Sequence, residues 1–276
     1  MSYASEIYLV DNGSLRPEAV RGLRSLAARL SFRLGLKVRA VSLLHAHKID
    51  PSDLDGVPAP IVKTALRESL AGGVRRIFFL PLFLGPSRAI TEYLPQLIDE
   101  ARADNSGFVG RIALPLAGDD PEQPDPRLAR MLADYVRASV SESNFQSIVL
   151  VDHGSPVEAV ATVRNSVAAQ MGALLGRPVL ASSMERREGP EYAFNEPLLE
   201  RMYEVDPSAG GSLLAALFFL LPGRHAGPEG DIARMLGGLV ARGAYTQAEI
   251  TPLLSEHPLL LEILEDRLKS VLQAEA

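Results

Sequence analysis

The sequence predicts an α/β fold in which two similar halves each form a four-stranded parallel sheet flanked by helices. Short apolar runs rich in Val, Ile, Leu and Phe alternate with longer stretches whose apolar residues recur at the helical period. Strands that are apolar on both faces are typical of parallel sheets covered by helices. The same order of strands and helices occurs twice along the chain, which indicates an internal repeat.

In the first half, each apolar run is followed by a stretch with helical spacing. After the first run, Val20, Leu23 and Ala27 place apolar side chains along one stripe of a helix. The predicted strands are Ile7–Val10, Val38–Leu44, Arg76–Phe83 and Arg111–Leu116, and the predicted helices cover residues 20–34, 61–71, 89–103 and 127–139.

The second half shows the same alternation of apolar runs and helical stretches. The predicted strands are Ser147–Val151, Pro178–Ser183, Leu213–Leu221 and Ala248–Leu253, and the predicted helices cover residues 157–175, 196–205, 231–241 and 257–272. Each half therefore contains four strand–helix units, which is enough for one parallel sheet with helices on its faces.

Matching residues support a true internal repeat. Leu9–Ser14 and Leu150–Ser155 agree at five of six positions. Phe83–Ala89 and Phe219–His225 share Phe, Leu, Pro and Arg in register. Because these matches lie at corresponding strand ends, we interpret the two halves as copies of one structural plan.

The chain length agrees with two domains. A chain of 276 residues corresponds to roughly two domains of typical size. A polar stretch at residues 141–144 precedes the second copy. We therefore predict a first domain at residues 1–142 and a second at residues 143–276.

Composition and charge exclude several classes of protein. The net charge of −6 argues against a basic surface for nucleic acid. No apolar run approaches the ~20 residues of a membrane-spanning helix, and the first residues lack a basic region and cleavage site. Since the chain has no cysteine, disulfides, thiolate zinc sites and Cys-ligated iron–sulfur clusters are excluded. We expect a cytoplasmic monomer or homodimer.

Three chemically reactive residues follow predicted strands of the second half. His153, Glu185 and His225 come after its first, second and third strands. The carboxyl ends of parallel strands line one edge of a sheet, so we expect these side chains to converge there. Two imidazoles and a carboxylate suit a divalent metal such as Co²⁺, Fe²⁺, Ni²⁺ or Zn²⁺. Glu185 competes for this role with the nearby Glu188 and Glu191.

Other histidines have simpler interpretations. His45 and His47 follow the second strand of the first half, at roughly the position that Glu185 takes in the second. They are interpreted as solvent-facing loop residues, with a place in a crevice between the domains as the alternative. His257 precedes Pro258 and is interpreted as the start of the last helix.

Several groups at the predicted strand ends can bind an anion. Gly154 and Ser155 begin a strand-to-helix turn, where backbone N–H groups can bind a carboxylate or phosphate, although ordinary turn chemistry explains them equally well. Arg88 and Arg224 occupy equivalent positions in the two copies and can pair with carboxylates or with local acidic groups. No dinucleotide-binding or P-loop motif occurs.

These motifs resemble the sirohydrochlorin cobaltochelatase and ferrochelatase family of cobalamin and siroheme synthesis. The resemblance rests on Val151–Ser155 and on Phe219–His225, the latter followed by Asp231 and Ile232. It implies a pair of chelatase-like α/β domains. It also implies that His153 and His225 are the active-site histidines and that Glu185 is the acidic metal ligand.

The resemblance further implies insertion of Co²⁺ or Fe²⁺, with Ni²⁺ as a third candidate, into sirohydrochlorin or a related precorrin-2-derived tetrapyrrole. The metal is a substrate, and no organic cofactor is implied. Asn12 and Ala89 stand where histidines would be in the first half, which should therefore be catalytically silent. Arg88, Arg224 and Ser155 are the candidate contacts of the anionic tetrapyrrole.

Two other functions remain open at this point. Asp152 and Pro156 depart from the residues that the family commonly has beside its histidine, which is compatible with a non-catalytic tetrapyrrole or metal carrier of chelatase fold. Arg224 and His225 together with the Gly–Ser turns are compatible with a phosphotransferring enzyme that uses a catalytic histidine. Turnover with a metal and a tetrapyrrole distinguishes the chelatase from both.

Overall fold

Two parallel sheets organise the protein, whose computed structural model describes residues 5–142 and 144–273. The first sheet has the spatial order β2-β1-β3-β4, and the second has the order β6-β5-β7-β8. The strands are β1 (Ser5–Asp11), β2 (Val38–Ser42), β3 (Arg76–Pro81), β4 (Val109–Ile112), β5 (Ser147–Asp152), β6 (Leu180–Ser183), β7 (Ser212–Leu217) and β8 (Gln247–Ile250). The predicted fold class is confirmed.

The sheets are covered by helices that follow most of the strands. The helices are α1 (Pro17–Leu34), α2 (Val62–Ala71), α3 (Leu94–Asp104), α4 (Pro126–Glu142), α5 (Glu158–Leu175), α6 (Asp231–Ala241) and α7 (Leu259–Gln273). The long helices α1 and α5 each end at a glycine in the left-handed conformation, Gly35 and Gly176. No helix in the described ranges is long and apolar enough to cross a membrane.

Sequence order and spatial packing divide the chain differently. Unit 1 contains the residues up to Leu116 together with those from Leu261 onward, and unit 2 contains Ala117–Leu260. Helix α4 therefore packs on α5 within unit 2. Most of α7 belongs to unit 1, where Arg267 donates to the carbonyl oxygens of Pro115 and Leu116. The domain boundary predicted between residues 142 and 143 involves residue 143, which lies outside the described residues.

The helix predicted at residues 196–205 is wrong. The chain instead forms two short 3₁₀ helices, Pro190–Asn195 and Leu199–Glu204, separated by extended backbone. Pro197 disfavours a helical conformation of the residue before it. Its carbonyl oxygen also accepts a hydrogen bond of 3.3 Å from the Ser183 amide, so the segment pairs with the end of β6.

Several strands end earlier than their apolar runs. The third strand of the second half was predicted to continue to Leu221, whereas β7 ends at Leu217. The Phe218 amide still donates to the carbonyl oxygen of Val151 at 2.9 Å, but the following residues leave the sheet. The apolar residues beyond the strand therefore belong to the loop that leads to His225.

Candidate functional site

The carboxyl edge of the second sheet carries the three residues selected from the sequence. His153 directly follows β5, one of the two inner strands, and Glu185 lies two residues beyond β6. His225 lies on the loop between β7 and α6. Because β6 and β7 are the two neighbours of β5, all three loops leave the sheet at the same edge.

The structure brings these three side chains together around His153. Nε2 of His153 lies 3.5 Å from Oε1 of Glu185. The ring centroids of His153 and His225 are 4.8 Å apart, at an interplanar angle of 67°. All three side chains are at least partly accessible to solvent. The expected convergence at one sheet edge is therefore present in the geometry.

The hydrogen bond of His153 determines which of its nitrogens is free. Nδ1 lies 3.2 Å from the carbonyl oxygen of Gly154, which can only accept, so Nδ1 carries the proton in the neutral ring. The lone pair of Nε2 then faces the Glu185 carboxylate. Two acceptors at 3.5 Å are stabilised by a proton or a cation between them, so this pair suits either a transferred proton or a metal ion.

His225 is oriented by a carboxylate. Its Nδ1 donates to Oδ2 of Asp231 at 2.7 Å, which leaves Nε2 as the free lone pair. The hydrogen bond from Arg234, together with that from His225, holds the pKa of Asp231 below its usual range. Asp231 was noted in the sequence only as part of a motif. The signal available for this role was an acidic residue at the first position of the helix that follows the histidine loop.

A glycine allows the loops after β5 and β6 to meet. Gly154 has a φ of +91°, and a Cβ atom built on it would lie 1.8 Å from the carbonyl oxygen of Glu185. A side chain at this position would displace the Glu185 backbone. The Glu185 amide in turn donates to the carbonyl oxygen of His153 at 3.2 Å. Backbone contacts therefore fix the His153–Glu185 pair.

The site is not a closed metal cage. Within residues 5–142 and 144–273, no group of three or more His, Cys, Asp or Glu side chains is arranged to hold a metal ion. The arrangement instead consists of two histidine–carboxylate pairs, His153–Glu185 and His225–Asp231, and one histidine–histidine ring contact. Such a set suits an ion that enters and leaves more than an ion that is held permanently.

The candidate anion-binding groups have different surroundings. The Arg224 side chain is 73% exposed, and its Nε lies 3.4 Å from Oδ2 of Asp231. Ser155 is constrained at its amide, which donates to Oδ1 of Asn195 at 3.0 Å, while its hydroxyl accepts from the Val157 amide. Arg88 belongs to unit 1, where it is exposed and lies near Glu92.

Unit 1 has different side chains at the equivalent edge. The Leu44 amide donates to the carbonyl oxygen of Asn12 at 3.1 Å, in the same way that Glu185 donates to His153. The structural counterpart of Glu185 is therefore Leu44, and His45 and His47 follow it by one and three residues. Both histidines are exposed, as predicted.

A buried polar network behind the His153 loop was not identified from the sequence. Arg164 on α5 is 1% exposed and lies 3.4 Å from Oδ1 of Asp152. Asn195, at the end of a 3₁₀ helix, is fully buried. The available signal was a charged residue on the apolar face of α5, where the first copy has Leu23.

A family model matches the first half of the chain. The family model CbiX matches residues 6–138, the half that carries Asn12 in place of the histidine. A comparison with curated protein sequences finds no match.

Solved structures match nearly the whole chain. "SirB from Bacillus subtilis with Fe3+" has a TM-score of 0.71 and 13% identity, over 97% of this chain and 95% of the other. The sirohydrochlorin chelatase SirB from Bacillus subtilis subspecies spizizenii in complex with cobalt has a TM-score of 0.69 and 13% identity, over 97% and 94%. DR2241 from Deinococcus radiodurans, a multi-domain protein described as similar to chelatases, has a TM-score of 0.59 and 16% identity, over 96% and 54%. Residues 6–138 match the CbiX family model, and over nearly its whole length the chain has the fold of the sirohydrochlorin chelatase SirB.

Proposed function

We propose that the protein is a metal chelatase that inserts Co²⁺ or Fe²⁺, with Ni²⁺ as a third candidate, into sirohydrochlorin or a related precorrin-2-derived tetrapyrrole. The observation that carries this proposal is the placement of His153, Glu185 and His225 at one sheet edge, with a free imidazole nitrogen 3.5 Å from a carboxylate oxygen. The shared fold with SirB, which has been solved with iron and with cobalt, supports it.

The reaction requires groups that exchange protons and a divalent ion. Insertion forms bonds from the metal to the pyrrole nitrogens and releases two protons from them. In this proposal His153 and His225 hold the incoming ion or accept these protons through Nε2. Glu185 offsets the positive charge of the ion as water leaves it. Asp231 keeps His225 in the required tautomer and orientation.

The acidic side chains of the tetrapyrrole need cationic and hydrogen-bonding partners. Arg224 is largely exposed beside His225, so it can pair with a carboxylate of the substrate. The Ser155 hydroxyl accepts from a backbone amide, which leaves its own proton available to a carboxylate. We propose Arg88 as a further contact on the basis of its equivalence to Arg224 in the repeat. No organic cofactor or iron–sulfur cluster takes part in this proposal.

The proposed function is tested by anaerobic incubation of the protein with sirohydrochlorin and Co²⁺, Fe²⁺ or Ni²⁺ in separate reactions. We expect the visible spectrum to change to that of the metallated product over many turnovers, faster than in a reaction without protein. Stoichiometric binding of the tetrapyrrole or the metal, without turnover for any of the three ions, would contradict the proposal and favour the carrier.

The Asp231 carboxylate is expected to support metal binding through His225. Asp231→Asn should lower Co²⁺ affinity and insertion rate by about 10- to 100-fold, because an amide is a weaker acceptor for Nδ1–H. Cobalt titration followed by visible absorption measures the affinity. Glu229→Gln is the matched control, since it removes one negative charge from an exposed position of the same loop. Equal effects of the two substitutions would show that charge alone matters.

The cellular location and the oligomeric state complete the proposal. We keep the cytoplasmic location and the monomer or homodimer as predictions from the sequence. Cell fractionation tests the first, and analytical ultracentrifugation tests the second.

A further inference from the structure

Arg164 is the largest fully buried side chain of the described residues, and its guanidinium group is saturated with acceptors. Nη1 donates to the Ser183 hydroxyl and lies 3.4 Å from Oδ1 of Asp152. Nη2 donates to the carbonyl oxygen of Phe194 at 3.0 Å, and Nε donates to Oδ1 of Asn165 at 3.0 Å. A buried arginine without such partners would be strongly destabilising.

The Asp152 carboxylate connects this arginine to the turn that follows β5. Its Oδ1 accepts from the Gly154 amide at 3.1 Å and from the Ser183 hydroxyl at 2.7 Å. His153 lies between Asp152 and Gly154. The Asp152 carboxylate therefore holds the backbone on both sides of His153, and the positive charge of Arg164 balances its negative charge.

Asn195 holds the other end of the same turn. Its Oδ1 accepts from the Ser155 amide at 3.0 Å, and its Nδ2 donates to the Ser155 carbonyl oxygen at 2.9 Å. The residue before it is Phe194, whose carbonyl oxygen binds Arg164. Arg164 thus supports both groups that hold the loop of His153, namely the Asp152 carboxylate and the segment that ends in Asn195.

Unit 1 shows what happens at the same position without the arginine. Helices α1 and α5 begin at Pro17 and Glu158, so Leu23 takes the place of Arg164 in the repeat. Leu23 is also buried and cannot pair with Asp11, the counterpart of Asp152. The Asp11 carboxylate accepts from Ser42 and Gly13, but its Oδ1 has no hydrogen-bond partner among the described residues. The half that lacks the histidine also lacks the arginine.

We propose that Arg164 is a positioning residue that fixes the His153–Ser155 turn, and with it the direction of the His153 ring toward Glu185 and His225. This inference rests on the proposed function for its effect on turnover. Arg164 is buried behind the loop, so a substrate at the sheet edge cannot reach it. Its loss should therefore lower kcat while KM for the tetrapyrrole stays nearly constant.

The test compares Arg164→Leu, which installs the residue of the first copy, with Arg164→Lys and Asn195→Ala. Arg177→Leu is the matched control, because Arg177 donates to a backbone carbonyl of the same unit, far along the chain from the turn. Hydrogen exchange of the Gly154 and Ser155 amides reports on the turn without any substrate. The kcat and KM values for insertion report on the reaction.

We expect Arg164→Leu to accelerate exchange of both amides at least about tenfold while amides in the centre of α5 stay protected, and to lower kcat by about 10- to 100-fold. Arg164→Lys should restore part of both losses, since it keeps the charge. If Arg164→Leu does not fold, faster exchange of both amides in Arg164→Lys supports the proposal.

Unchanged exchange of the two amides in Arg164→Leu, or in Arg164→Lys where only that variant folds, would overturn the proposal. A rise in KM at constant kcat would also overturn it. If the wild-type protein does not insert metal, the proposed function fails, whereas the exchange measurement still decides whether Arg164 positions the turn.

Discussion

His153→Ala is expected to lower the rate of metal insertion by about 100-fold or more, because the substitution removes a group proposed to bind the ion or accept a proton. Asn12→Ala, at the equivalent position of the first copy, should leave the rate essentially unchanged. An asparagine is neither a base nor a strong ligand for these metals. Initial rates of Co²⁺ insertion into sirohydrochlorin, measured from the visible spectrum, compare the two variants.

Exposed histidines provide a second control for this experiment. His45 and His47 are accessible in unit 1, so the double substitution His45→Ala/His47→Ala removes potential metal ligands that lie outside the candidate site. We expect this variant to insert Co²⁺ at the wild-type rate. Equal losses from His153→Ala and Asn12→Ala, or a full loss in the double variant, would rule out a single site at the edge of the second sheet.

Asp11→Asn is expected to stabilise the protein by up to about 3 kcal/mol above pH 6 and to have little effect near pH 4. Burial raises the pKa of Asp11 from 3.8 to about 6, against the lowering effect of hydrogen bonds from Ser42 and Gly13. The carboxyl group is therefore easier to protonate in the folded protein than in the unfolded chain. The stability that this protonation contributes is fully present below the pKa of the unfolded chain, and it is lost as the pH rises through about 6.

Chemical denaturation of the wild type and Asp11→Asn at several pH values between about 4 and 8 measures this effect. The difference between the two proteins isolates Asp11, because all other titrating groups are shared. Asp152→Asn is the matched control with the opposite sign. It leaves the buried Arg164 without its carboxylate and should destabilise the protein by about 3 kcal/mol at neutral pH. If the free energies of unfolding of the wild type and Asp11→Asn differ by the same amount at every pH, the prediction is contradicted.

The contrast between Asp11 and Asp152 shows how the two copies have diverged. Both residues end an inner strand of their sheet, and both are buried. One copy retains a cation beside the carboxylate and a histidine after it. The other has Leu23 and Asn12 at these two positions. A buried carboxylate without a cation beside it lowers the stability of the fold at neutral pH. An apolar side chain at this position would pack without that cost.

The strands and the position of the candidate site could be predicted because both depend on short stretches of sequence. Apolar runs identify buried strands, and a residue that directly follows a parallel strand must lie at the carboxyl edge of its sheet. This reasoning selected His153, Glu185 and His225. The structure shows a longer loop before His225 than the sequence predicts, since His225 lies eight residues beyond the end of β7.

The sequence alone determined the α/β class, the internal repeat and the three residues that meet at the second sheet, because periodicity and strand ends are local properties of the chain. The tertiary structure decided which nitrogen of His153 and of His225 is free, and that Arg164 supports the His153 turn. It also decided that α4 and α7 pack in units other than those that their sequence positions indicate. These features depend on partners far apart in sequence, such as Ser155 and Asn195, which are separated by 40 residues. Hydrogen-bond partners of this kind are selected by the folded backbone, and the pattern of apolar and polar residues does not specify them.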